Sequence, residues 1–128
     1  ITSIHAKHSL RIRNKLKKLN YRILGSYSNK NNSVSPRVPL LVKDRTSFIN
    51  FFRDRGIEIG TWFDGPLSPL PKYSVFNYDK ANYPNSCFIA KHIVNIPCHI
   101  KMKDYHLELI EEALADFSLS HPDHADLQ

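Results

Sequence analysis

The stretch YPNSCFIAKHIVNIPCHIKM, Tyr83 to Met102, decides the fold. Pro84 suits a helix start, where its missing N–H would have had no helical partner anyway. Cys87, Ile89 and Ala90 then give a short helix an apolar stripe, and Ile93-Val94-Asn95-Ile96 reads as a buried strand. Proline cannot donate to a sheet ladder, so this strand stops at Pro97 or lies at an edge there. A polar turn follows, and Asp104 is expected to cap a last helix with Leu107, Ile110, Leu114 and Phe117 as its core stripe.

Upstream, Ile12, Leu16 and Leu19 recur at i, i+4 and i+7, which predicts a helix over residues 4–19 with cations on its other faces. Tyr21 to Leu24 reads as a short strand closed by Gly25, and the Ser/Asn-rich Ser26–Ser35 as a loop. Pro36–Val42 looks like a strand that its prolines hold at a sheet edge. Asp44 can cap a helix carrying Phe48, Ile49, Phe51 and Phe52, and Gly56 can end it in the left-handed conformation. Ile57–Phe63 alternates as a strand does, while Pro66, Pro69 and Pro71 make residues 64–83 irregular. So long a loop is uncommon in a compact domain unless it serves a purpose, which makes it the leading candidate for a functional surface. The polar tail, residues 118–128, is expected to fray. The order α, β, α, β, loop, α, β, α predicts an α/β (α+β) sandwich: one domain over residues 1–117, with a small, mostly antiparallel sheet covered by helices.

With 128 residues, 41% of them apolar and 11% aromatic, the chain is long enough for one packed core and too short for two. No apolar run approaches the ~20 residues of a membrane span. The opening ITSIHAKHSL lacks a signal-peptide core and does not begin with methionine, and the chain is read as cut from a longer polypeptide. Cys87 and Cys98 are the only cysteines and read as buried free thiols of a cytoplasmic protein. The charge of +6 is unevenly spread: residues 1–45 hold eleven Lys and Arg against one acid, Asp44, which leaves the remainder acidic. A basic half can mark a nucleic-acid surface, or a helix face that meets an acidic neighbour.

Several motifs together resemble the DegT/StrS-type (DegT/DnrJ/EryC-like) nucleotide-sugar aminotransferases. Arg13, Asn14 and Leu16 resemble the start of that family's C-terminal small domain, and Val38–Val42, Arg45, Phe48–Phe52 and Gly56-Ile57 resemble its next strand and helix. Trp62-Phe63, followed by Pro66-Leu67-Ser68-Pro69, is similar to a Trp-Phe pair and a Ser-Pro-Ile-His-Pro segment, with Ser68 where the family has histidine. Asn77-Tyr78 and the run Pro84, Ala90, Val94, Asn95, Ile96, Pro97 and His99 complete the likeness. The resemblance implies the small domain of a fold-type I enzyme dependent on pyridoxal 5'-phosphate (PLP), with residues 1–24 as linking helix and strand. It implies amino transfer to a nucleotide-linked keto-sugar, with Trp62, Asp64, Ser68 and Tyr73 at the substrate cleft. It also implies an N-terminal large domain and a homodimer partner. The cofactor lysine belongs to that large domain. Lys30 only faintly imitates such a lysine, so neither PLP binding nor a catalytic residue is expected of this chain alone.

Two further groups of residues bear on function. His92, His99 and His106, with Cys98, match no closed zinc spacing and read as core or turn residues. Lys7, Arg11, Lys15 and Lys18 form a stripe that could track phosphates, which makes a basic nucleic-acid-binding or protein-interaction module the alternative function. No aromatic interleaves those cations, so nucleic acid is not the favoured partner.

Overall fold

The computed structural model describes residues 2–25, 36–61 and 79–127. Its elements are α1 (Thr2–Lys18), β1 (Arg22–Ile23), β2 (Arg37–Leu41), α2 (Arg45–Arg53), a 3-10 turn (Lys80–Asn82), α3 (Pro84–His92), β3 (Ile93–Pro97) and α4 (Asp104–Ser120). The three strands form one antiparallel sheet in the order β1-β2-β3. Strand period two sorts the side chains: Val38, Leu40, Val94 and Ile96 point to one face, in the cross-strand pairs Val38↔Ile96 and Leu40↔Val94. That face closes the core together with Ile12 and Leu16 of α1, Phe48 and Phe52 of α2, and Leu107, Leu114 and Phe117 of α4. Leu41, Ile93 and Asn95 on the reverse face are buried as well, which is why residues 93–96 read as a continuous buried run.

Local chemistry sets the element ends. Asp44 caps α2, its carboxylate accepting from Ser47 N–H at 3.0 Å and from the Ser47 hydroxyl at 2.6 Å. Those two bonds, the hydroxyl first, hold the Asp44 carboxyl below the usual carboxylate range. Gly56, at φ 73°, ends α2 as expected: its N–H reaches Arg53 O, and Ile57 N–H reaches Phe52 O. Asn20 does the same for α1 at φ 60°. Pro84 opens α3 at its first turn.

Four expectations are corrected. β2 is the central strand rather than an edge. Asn95 turns its own N–H and C=O away from β2, toward Gly60, so Pro39 opposite it needs no donor on that side. On the other side Leu24 N–H donates to Pro39 O at 3.0 Å, and proline has no N–H to return, so β1 ends at Ile23. The alternating segment from Ile57 makes one bridge, Gly60 to Asn95, and no strand over its described residues 57–61. The last helix is capped by Lys103 rather than Asp104, with Lys103 N–H donating to His106 Nδ1 at 2.9 Å. Finally, residues 121–127 dock instead of fraying. His124 is 7% exposed, its ring centroid is 4.2 Å from that of Tyr21, and its Nε2 is 3.2 Å from Leu19 O. Lys43 N–H donates to His124 O, and the Lys43 ammonium pairs with Asp123.

Candidate functional site

The proline-rich stretch of the sequence is flanked by Gly60 and Asp79, and the structure shows how both flanks are held. Gly60 N–H donates to Asn95 O at 3.1 Å, and Asn95 N–H donates back to Gly60 O at 2.9 Å. Asn95 is 2% exposed, and its amide lies 3.5 Å from the same Gly60 carbonyl. A side chain at position 60 would collide with the Arg37 guanidinium, which crosses β3 to lie over this bridge. At the second flank, the Asp79 carboxylate accepts from Ala81 N–H at 2.9 Å and seeds the 3-10 turn ahead of α3.

α3 is tied down in turn. Arg45 donates from Nη1 to Ala90 O at 2.8 Å, near the helix C-terminus. His92 donates from Nδ1 to Val42 O at 2.8 Å, and Val42 N–H donates to His92 O. Trp62, Asp64, Ser68 and Tyr73 lie outside the described residues, as do Lys30, Phe63 and Lys72. Arg37 and Gly60 were missed in the sequence, although a glycine just before an aromatic pair and a proline-rich loop is a signal of close backbone approach.

The histidines go separate ways. His92 turns inward as above, the His99 side chain is exposed while its carbonyl accepts from the His8 ring at 3.2 Å, and His106 accepts from Lys103 N–H. Among the described residues no group of three or more His, Cys, Asp or Glu side chains is placed to hold a metal ion.

The basic helix meets an acidic neighbour within the same chain. Arg11 forks onto Glu111 through Nε–Oε1 at 2.8 Å and Nη2–Oε2 at 2.9 Å, and reaches Asp104 at 3.3 Å. The Glu111 bond is the main cause that raises the Arg11 pKa. Cys98 is fully buried, which pushes its thiol up to about 11, whereas Cys87, expected to be buried too, is only half-buried.

The model of the DegT/DnrJ/EryC1/StrS aminotransferase family matches residues 3–115. This chain belongs to that family. No curated protein sequence matches it. Among solved structures it is similar to Spr1654 of Streptococcus pneumoniae, which carries the name sugar aminotransferase. With the PMP form of that protein the TM-score is 0.80 at 18% identity, over 94% of this chain and 31% of the other. The PLP form gives the same TM-score and identity over 94% and 32%. A DegT DnrJ EryC1 StrS aminotransferase from Brucella abortus gives 0.76 at 16% identity, over 91% and 31%. The family member described here thus spans about a third of the length of the solved structures it matches.

A PLP site needs a lysine and an acid facing the pyridine nitrogen in a sheltered cup. Among the described residues of this DegT-family chain no lysine, aspartate or glutamate is buried, so these residues do not fit that cofactor by themselves. No helix among them is long and apolar enough to cross a membrane.

Proposed function

We propose that this chain is the small domain of a PLP-dependent aminotransferase that acts on a nucleotide-linked keto-sugar. The observation that carries the reading is the family match over residues 3–115. The PLP and PMP forms of the similar Spr1654 support the cofactor. In this reading the cofactor lysine lies on a large domain, the protein works as a cytoplasmic homodimer, and PLP supplies the electron sink for amino transfer. This chain contributes the wall of the substrate cleft. Trp62 and Tyr73 offer flat faces to the nucleobase or sugar, and Asp64 and Ser68 hydrogen-bond sugar hydroxyls. The Gly60–Asn95 bridge, with Arg37 over it, ties the chain to β3 just ahead of that stretch. A nucleic-acid module is less favoured, because Arg11, in the middle of the basic stripe, is already engaged by Glu111 and Asp104.

The test is Trp62→Ala in the full-length enzyme. Loss of a stacking contact should lower kcat/KM for the nucleotide sugar about tenfold while leaving turnover of the amino donor unchanged. Equal kinetics for both substrates would remove the assignment. The 128-residue chain alone should show no absorbance from covalently held cofactor when titrated with PLP; such a band would overturn the division of labour between domains.

A further inference from the structure

The end of α2, the end of β3 and the first turns of α4 border a cavity of about 360 Å³, within the size range of small-molecule sites. Its floor is apolar: Met102 and Ile110 are buried, Ile57 and Pro97 are partly so, and Leu109 stands half exposed at the rim. Around that floor stand four nitrogen-bearing side chains, Arg37, Arg55, His99 and His106, against one carboxylate, Glu58. Two of the four are held in place. The Arg55 guanidinium lies 3.5 Å over the Phe51 ring and donates from Nη1 to Phe51 O at 3.2 Å. Among the described residues no carboxylate pairs with it, in contrast to Arg11 and Lys43. His106 accepts Lys103 N–H at Nδ1, so the proton of its neutral ring sits on Nε2 and makes that nitrogen a donor.

We propose that this cavity binds a small organic anion with an apolar body. The head, a carboxylate or a phosphate, takes the Arg55 fork together with Arg37 and the His106 Nε2–H, and the body lies on Ile57, Met102 and Leu109. Charge decides the sign of the ligand. With both rings neutral, two guanidinia face one carboxylate, so a cation is repelled and an anion drawn in. The floor decides the rest: a bare inorganic anion would leave it in water, whereas a carbon body covers it. A metal ion is not the occupant, because no three His, Cys, Asp or Glu side chains among the described residues are placed to share one. The site goes beyond the aminotransferase reading and uses none of the residues given there to substrate contact. Binding at it is read without turnover, so either reading can fail alone.

The test is titration of the 128-residue chain with benzoate and with phenyl phosphate, followed by the amide shifts in nitrogen-proton NMR spectra. Acetate and inorganic phosphate serve as the bare heads. Saturable shifts are expected at Arg55 to Glu58 and at Met102 to Ile110, with the aryl probes binding about tenfold or more tighter than their bare heads. Arg55→Gln should weaken aryl-anion binding about tenfold, and Leu109→Ala severalfold; both side chains are exposed, so the fold survives their loss. Glu58→Gln, which removes the one opposing charge, should tighten it, and Arg53→Gln, outside the cavity, should leave it unchanged. Tighter benzoate gives the site to a carboxylate and tighter phenyl phosphate to a phosphate ester, and either supports it. Bare heads that bind as well as the aryl probes would mean an adventitious ion only and overturn the proposal. So would shifts gathered at Lys7, Lys15 and Lys18 instead, or an affinity that neither Arg55→Gln nor Glu58→Gln changes.

Discussion

Pro39 shows how one missing hydrogen shapes a sheet. Its nitrogen faces β1, where a donor would be needed, and β1 stops one residue short of it. The same residue is harmless toward β3, because the facing Asn95 spends its backbone on Gly60. The two cysteines differ for an equally local reason. Burial holds the Cys98 thiol neutral up to about 11, and only the thiolate attacks an alkylating reagent. Mass spectrometry after iodoacetamide treatment at pH 8 should find the half-buried Cys87 modified and Cys98 modified only in denaturant. Equal labelling of both in the native chain would contradict the burial of Cys98. The sign for stability follows: a raised thiol pKa means the unfolded chain loses its proton first, so Cys98 costs stability as pH rises above about 8.5.

Two elements depend on contacts that single substitutions can remove. Replacing Asp44 by alanine leaves the first turn of α2 without its acceptor and should cost about 1 kcal/mol in urea unfolding. The C-terminal segment is held by His124 and Lys43 rather than by any element of its own. His124→Ala removes a buried ring that packs on Tyr21 and bonds Leu19 O, and about 1–3 kcal/mol should be lost. Hydrogen exchange should then quicken at Lys43, whose amide donates to His124 O, while β2 and β3 keep their protection. Unchanged exchange at Lys43 would show that the segment docks by other means. Periodicity could not reveal this docking, because a polar tail with one proline looks alike whether it is solvated or packed.

The described residues pack one core under a three-stranded sheet, and Phe48 lies in it fully buried, in ring contact with Tyr21, Phe52 and Phe117. Phe48→Ala should cost about 3–5 kcal/mol, a large share of a small domain's stability, and calorimetry should find the chain largely unfolded near physiological temperature. Acid acts through the carboxylates that the fold holds below their usual range: Asp44 by the Ser47 hydroxyl and amide, and Asp123 by the Lys43 ammonium. Their contribution is present above about pH 4, the unfolded carboxylate value, and is lost as pH falls through the lower folded values. Chemical denaturation from pH 7 down to 2 should therefore show a flat plateau and then a decline. The Asp44→Asn, Asp123→Asn double variant should have a shallower decline, and an identical slope would remove these two groups from the acid response.

What could be read along the chain was what depends on a few neighbouring residues. The Asp44 cap, the Gly56 stop, the apolar stripes of α1 and α4, and the helix-to-strand switch at His92-Ile93 all follow from side-chain period and backbone sterics. The family motifs were legible for the same reason, being short runs in fixed order. What the tertiary structure alone decided are partnerships between distant residues. The central place of Pro39, the single bridge at Gly60, Arg37 lying over it, Arg11 on Glu111 and His124 on Leu19 each require elements that only folding brings together. A charge or a polar tail carries no mark of its eventual partner, because the energy of an ion pair or a buried hydrogen bond depends on distance in space and on desolvation, and neither is a property of the local sequence.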